Sequence, residues 1–332
     1  VITSKEMKIL YIGTPHIHNL WQEGKNPSHW LYGACEMEQD KHQVIWAQER
    51  SKSMNDLQLL IQHRPDKIFI PNLNLKSHIV LLLLSAFGVV HTPVYAYIHH
   101  TPKGGHPLKK RFYRLLLKGI KHAFFLSELT MQETIHGKYV KRERCSVPGW
   151  GADLFFFSRI TTNDQGYFIS TGKEQRDFDI LIDVFKRTGA PLKIFTCKSH
   201  AGNNFEDLPE RCKNITNIEV IITENSSEVY PLMLKAMADS KALVCPLRKD
   251  KLNYCVGLST LTDAEGLHKP LIITHNPYHS PQRIHPFHVV NTAEEWINAI
   301  HDIQKHKLIH KQIKTKYCMD KCYEKMKEKM FL

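Results

Sequence analysis

At 332 residues, 42% of them hydrophobic, the chain is long enough to form about two ordinary domains with a sizeable core. Its longest apolar run, Ile79 to Val90, is interrupted by Ser85 and Gly88 and falls short of the ~20 residues of a membrane span, so it reads as a buried helix. The formal charge of +12 implies an anionic partner, and nucleic acid, anionic lipid and a charged small substrate all satisfy it until the charge is placed along the chain.

The amino terminus lacks the charged, apolar, small-residue order of a secretory signal, so a cytoplasmic location is expected. Short apolar strands are predicted at Met7 to Ile12, Val44 to Ala47, Lys67 to Pro71, Val94 to Ile98 and Ala123 to Ser127, each followed by a helical segment. That is the βα alternation of a parallel sheet. After a break around Pro148 to Asp153 it restarts, with strands at Tyr167 to Ser170, Leu192 to Thr196, Ile218 to Ile222, Ala242 to Pro246 and Leu271 to Thr274. The expected fold class is therefore α/β, with two doubly wound parallel-sheet domains. Open sheets of this kind take ligands beyond the carboxyl ends of their strands. Three polar or glycine-containing loops fall there: Gly13-Thr14-Pro15-His16, His99-His100-Thr101-Pro102 and Thr171-Gly172-Lys173.

Between Lys103 and Lys121 the chain carries seven Lys or Arg, Lys109, Lys110, Arg111 and Arg114 among them, and no acid. Leu108, Phe112, Leu115, Leu116 and Ile120 supply an apolar stripe, and a basic amphipathic helix of this kind suits an anionic membrane surface. Two sharper motifs are discounted. Asp177-Phe178-Asp179 spells a metal-binding D-x-D, but the surrounding apolar spacing makes the acids a helix start. The stretch from Gly166 to Lys173 lacks the phosphate-loop spacing, with Glu174 where the Mg²⁺-binding hydroxyl would stand.

Lys173 and Arg176, just beyond a strand's carboxyl end, could neutralise a diphosphate. Further on, Gly257-Leu258-Ser259-Thr260 opens a helix whose first N–H groups are unpaired and dock phosphate readily. Asp263, one turn in, could accept from two ribose hydroxyls, so phosphate plus ribose points to a nucleotide. The 8 cysteines contain no C-x-x-C pair and read as reduced thiols, and with no zinc-type spacing among Cys or His no metal is expected.

These residues resemble the nucleotide-sugar glycosyltransferases of the GT-B fold, and within them the retaining glycosyltransferase family 4. "SVPGWGADLFFF" is similar to the family's V-x-x-x-G-x-D-x-x-x-F at the domain junction. "STGKEQRDFDILIDVF" resembles G-R-x-x-x-R/K-D-x-x-x-L-x-x-A-F, with Lys173 for the first Arg, and "GLSTLTDAEGLHKPLIIT" resembles G-x-x-x-L-x-E-A-x-x-x-G-K-P-x-I-x-T. Distance to Lys269-Pro270 equates Asp263, not Glu265, with the family's ribose-binding acid. The family's earlier, sugar-contacting acid is replaced by Cys255, so Asn253 or the backbone around Val256 is expected to serve the donor sugar. The family's active-site histidine falls on His99 or His100, with His99 preferred.

The resemblance implies a GT-B architecture of two Rossmann-like domains facing a cleft: an acceptor domain over residues 1–152, a donor domain over 153–308, and a closing helix over 309–332 crossing back to the first domain. The implied donor is a UDP- or GDP-linked sugar with Gly13, Thr14, Gly172 and the Gly257 helix start at the nucleotide, and no cofactor. The implied acceptor is a glycan or lipid-linked saccharide, as in bacterial surface polysaccharide synthesis such as capsule or lipopolysaccharide, with the enzyme peripheral to the inner face of the cytoplasmic membrane. The alternatives are an inverting GT-B transferase, a nucleotide-sugar epimerase and, from another class, a basic nucleic-acid-binding protein, which would leave both βα sets unexplained.

Overall fold

The computed structural model describes residues 6–13, 15–47, 55–200, 203–224, 226–284, 287–305 and 317–331. The chain divides into two compact units, Val1–Gly151 with Tyr317–Leu332, and Ala152–Lys316.

In the first unit the strands are β1 (Lys8–Tyr11), β2 (Gln43–Trp46), β3 (Lys67–Ile70), β4 (Val94–Ile98), β5 (Ile120–Phe125) and β6 (Cys145–Ser146). They pair in parallel in the order β2-β1-β3-β4-β5-β6. β4 is buried along its whole length, which is why its sequence is an unbroken apolar run with no polar alternation. The two-residue β6 is too short for alternation to reveal from sequence. Helices Ile79–Ala86 and Pro107–Lys118 bury Leu81, Leu82, Leu116 and Leu117 against this sheet. The apolar run is only partly a buried helix, because Phe87 and Val89 just past its end are 68% and 63% exposed. Helix Met319–Met330 belongs to the same unit and buries Met326 and Met330, with the Tyr97 hydroxyl meeting Met326 Sδ at 3.2 Å and Tyr323 donating to Asp40 at 2.8 Å. The expected closing helix begins at 309, and residues 309–316 lie outside the described ones.

The second unit contains β7 (Phe168–Thr171), β8 (Leu192–Cys197), the antiparallel pair β9 (Ser199–His200) and β10 (Asn203–Asn204), β11 (Ile218–Thr223), β12 (Ala242–Cys245), β13 (Leu271–Thr274) and β14 (His288–Val290). Its six-stranded parallel sheet runs β11-β8-β7-β12-β13-β14. The order reverses between β7 and β12, the place where a doubly wound sheet opens a crevice for a ligand. Phe168, Leu181, Phe185, Val244, Ile272 and Trp296 form the centre of its core. Asp177 caps helix Phe178–Thr188 by accepting from the Ile180 amide at 3.3 Å, and Asp179 pairs with Arg211. Both acids of the D-x-D are thereby occupied by the helix and its neighbour.

Candidate functional site

The loops after β7 and β12 are laced together. Residues Arg176 and Leu247 form an isolated antiparallel bridge, the Asp177 amide donates to Pro246 O at 3.1 Å, and the Arg248 amide donates to Gln175 O at 2.9 Å. Gly172 has φ +106°, a conformation open to glycine, and an added Cβ would lie 2.4 Å from Arg176 Nη2. The Arg176 guanidinium is buried and donates to Thr171 O from Nε and Nη2, to Glu174 O from Nη1, and to Thr260 Oγ1 from Nη2 at 3.1 Å. Arg176, expected to help neutralise a diphosphate, is thus tied into the loop. Four of its five N–H donors go to loop carbonyls and the Thr260 hydroxyl, as a buried guanidinium requires local partners, and it acts as a strut joining the β7 loop to the Gly257 helix. Lys173 is half-buried on the same loop, near enough to His200 that its charge adds to the lowering of that imidazole, which burial dominates.

Helix Leu258–Gly266 starts from Gly257, whose φ is +88° and whose Cβ would sit 3.1 Å from Cys245 Sγ. Close packing and left-handed backbone both require glycine there. Leu258 and Thr260 are buried and Ser259 is half-buried. The preceding turn is stapled from β13's far side: Asn276 Nδ2 donates to Tyr254 O at 3.0 Å and to Val256 O at 3.1 Å, and His279 Nε2 lies 3.0 Å from Val256 O. Burial pushes the His279 imidazole down to about 4, with the Arg283 charge adding to it. Cys255 is buried, its thiol raised by burial to about 12, so it is an inert packing group, whereas Asn253 is exposed. Tyr254 is raised by burial and by its hydrogen bond to Glu174, a further tie between the two loops.

Asp263 is buried in this helix and accepts from the Tyr230 hydroxyl at 2.7 Å. Burial raises its carboxyl to about 7, opposed by that hydrogen bond. Glu265, two residues on, forms a buried pair with Arg283 (2.9 Å from Nε, 2.6 Å from Nη2), while Arg283 also donates to Thr262 at 2.7 Å. The two acids of the motif are thus separated by partner: Asp263 meets a hydroxyl, Glu265 a guanidinium. Lys269 is buried and donates to Asn163 O and Ser240 O. An added Cβ on Gly266 would lie 2.3 Å from the Phe157 ring, so the segments resembling the family's junction and nucleotide motifs pack directly on each other.

In the first unit, His99 follows β4 and its Nε2 lies 3.0 Å from Pro71 O, just beyond β3. Burial pushes the imidazole down to about 4, so it is neutral near pH 7, and the ring nitrogen facing the carbonyl carries the hydrogen. His100 is exposed. Beside His99 stands an aromatic wall that sequence reading missed: Tyr32 lies 5.5 Å from His99, 5.2 Å from Tyr97 and 5.7 Å from Trp150 between ring centroids. Trp150 in turn packs edge-on to Trp30 at 5.2 Å and donates to His29 O at 2.5 Å. Tyr32 has φ +52°, strained for a bulky residue. Gly13 lies in this unit after β1, its hydrogen atoms against the Tyr11 ring, and Thr14 lies outside the described residues.

On helix Pro107–Lys118 the apolar stripe divides. Leu116 and Leu117 are buried, while Leu108 is 66% and Phe112 37% exposed. Lys109 sits 5.5 Å from the Tyr113 ring, Arg114 donates to Gly137 O at 2.9 Å, Arg111 is exposed and Lys110 half-buried. Among the described residues no helix is long and apolar enough to cross a membrane, and no three His, Cys, Asp or Glu side chains are grouped to hold a metal ion.

No protein-family model matches the sequence, and no curated protein matches it. Solved structures match it along its whole length. HepE from Anabaena, in complex with UDP, is similar at 12% identity and TM-score 0.64, covering 97% of this chain and 99% of that one. An α,α-trehalose 6-phosphate synthase from Burkholderia multivorans matches at 8% and 0.66, covering 98% of each chain. A UDP-GlcNAc 2-epimerase from Neisseria meningitidis, bound to UDP-GlcNAc, matches at 13% and 0.54, covering 97% and 99%. At such identities the likeness is one of fold: an α/β chain with two Rossmann-like parallel-sheet units, the GT-B class that the motifs suggested.

Proposed function

We propose that the protein is a glycosyltransferase that moves a sugar from a nucleoside-diphosphate donor, UDP- or GDP-linked, to a glycan or lipid-linked acceptor. The observation that carries this reading is the laced switch point of the second unit, where the Gly172 loop and the Gly257 helix start are fixed to each other through Arg176. Lys173 and the helix amides of Ser259 and Thr260 meet the diphosphate, the Leu258 amide being taken by Cys255 O, and Asp263 with Tyr230 holds the ribose hydroxyls. In the transfer the bond from the sugar's anomeric carbon to the diphosphate oxygen breaks and one to the acceptor oxygen forms. The nucleoside diphosphate leaves with the electron pair, and the acceptor's hydroxyl proton passes to a base. Lys173 and the helix start stabilise the charge that develops on the leaving group. His99, neutral and held by Pro71 O, orients a sugar hydroxyl, while Asn253 and the Val256 backbone serve the donor sugar in place of the acid that Cys255 replaces. No cofactor beyond the donor belongs to this reading.

The finer parts of the proposal are retention of anomeric configuration, a role in bacterial surface polysaccharide synthesis, and peripheral attachment to anionic membrane. The exposed Leu108 and Phe112 on the basic helix support the last of these. A second reading is favoured by the full-length likeness to the epimerase: inversion at a carbon of the nucleotide-linked sugar without an acceptor. Incubation with UDP- and GDP-sugars, with and without saccharide acceptors, separates them. Transfer predicts nucleoside diphosphate and glycoside formed together and only with acceptor. An isomerised donor sugar formed without acceptor would replace it by the second reading.

A further inference from the structure

At the amino edge of the first unit's sheet, opposite the edge that bears His99, lies an open cavity of about 790 Å³. β4 is five residues long, so the two edges are about 16 Å apart. The cavity is lined by Lys67 at the start of β3, Lys118 and Lys121 around the start of β5, Arg144 just before β6, and Lys329 from helix Met319–Met330. Glu143 is the one acidic side chain lining it, and its carboxylate faces Lys141, 3.8 Å away. The neighbouring Asp66 is engaged by the Lys8 amide at 2.7 Å.

Lys67 lies over the Tyr95 and Phe331 rings, while Lys118, Lys121 and Lys329 are exposed. Arg144 donates to Lys118 O at 3.1 Å and Lys121 O at 3.3 Å, which fixes the wall they stand on. Gly119 between those lysines admits no side chain, since a Cβ would fall 2.3 Å from Leu82 O, so the wall is packed tightly on the helix behind it. His122 Nε2 lies 2.9 Å from Ser146 Oγ. Burial lowers the Lys67 ammonium, with Lys121 adding to the effect and Asp66 opposing it. Burial, then the Lys329 and Arg144 charges, push the His122 imidazole down to about 4. Like charges held together in a concave wall repel one another, and a bound polyvalent anion relieves that repulsion.

We infer that this cavity is a binding site for a phosphoryl-bearing anion, distinct from the proposed donor site. Five cations against one acid exceed what a single carboxylate neutralises, and a phosphomonoester or diphosphate brings the charge and the acceptor oxygens that lysines and arginine bind. The volume suits a small-molecule group, as ligand pockets run to roughly 300–1,000 Å³. Val90 and Pro93 line the cavity, and the exposed Phe87 and Val89 precede them in the same turn, so the phosphoryl group can arrive free or as the head group of a lipid.

The test uses the full chain and inorganic pyrophosphate as probe, at constant ionic strength, with thermal midpoint as readout. Because the proposed donor site also takes a diphosphate, the comparison is made with that site weakened: Lys173→Ala should still gain stability from pyrophosphate, and adding Lys67→Gln/Lys121→Gln to it should weaken the binding about tenfold or more. Without pyrophosphate the double variant should melt no lower than wild type, because a repulsion has been removed; should it fail to fold, Lys329→Gln, at an exposed helix end, gives the same comparison. A response that survives when the lysine changes are added to Lys173→Ala, is absent from Lys173→Ala itself, or is matched by sodium chloride overturns the site. Co-sedimentation with vesicles of phosphatidylcholine with or without phosphatidic acid then separates the sources. Phosphatidic-acid binding displaced by pyrophosphate assigns a lipid head group, and a pyrophosphate response without vesicle binding assigns a free anion; both support the site.

Discussion

The carboxyl edge of the second unit carries charged side chains engaged within the fold, Arg176 on carbonyls and Thr260, and Arg283 on Glu265. That of the first unit is built around a neutral imidazole, His99, against Tyr32, with Tyr97 and Trp150 packed on Tyr32 in turn. For the proposed nucleotide site, the difference bears on where the countercharge comes from. Burial drives His99 toward its uncharged form, so it supplies none. In that proposal it is left to Lys173 and to the dipole of a helix start.

The largest effect should come from breaking the second unit's scaffold. Arg283→Met leaves Glu265 buried without its cation and should lower stability by about 3–5 kcal/mol in urea unfolding. Removing the strut with Arg176→Ala frees Thr171 O and Glu174 O and should cost about 1–3 kcal/mol, with turnover lost as the two loops part. A variant as stable as wild type would show that Arg176 is not a strut.

The pH response sharpens the same contrast because its two parts have opposite sign. Asp263 has a raised folded pKa near 7, so between about 4 and 7 the native state holds a proton that the unfolded chain has released. Its contribution is full at low pH and is lost as pH rises toward 7, by up to about 1.4 kcal/mol per pH unit. His99 is lowered to about 4, so its contribution is full above its ordinary value near 6.5 and is lost as pH falls. Asp263→Asn should therefore make stability rise more steeply with pH between 4 and 7, and His99→Gln should flatten that rise; unfolding series at several pH values measure both. The smallest effect on stability, within about 0.5 kcal/mol, is expected for Phe112→Ser on the exposed face of helix Pro107–Lys118. The same change should weaken retention on anionic vesicles, and unchanged retention would remove the membrane part of the proposal.

Sequence reading located the strands and the Gly257 helix start because βα alternation, glycine and helix-start chemistry are local signals. The short β6 and β14 carry too few residues to show alternation. What escaped was long-range pairing. Tyr230 meets Asp263 across 33 residues, Arg283 meets Glu265 across 18, and Tyr32 reaches His99 from an earlier loop, none of which leaves a periodic trace. Arg176 shows the cost of reading charge without burial: its position beyond β7 was legible, but its consumption by carbonyls follows from packing that only the folded chain displays.

The central claim is that the switch point of the second unit binds a nucleoside diphosphate. Titration calorimetry with UDP and with GDP on wild type, Lys173→Ala and Asp263→Asn tests it most directly. The account predicts that one of the two nucleotides binds wild type and that each variant weakens it about tenfold or more. Binding of equal strength in all three proteins, or none to wild type, would contradict it.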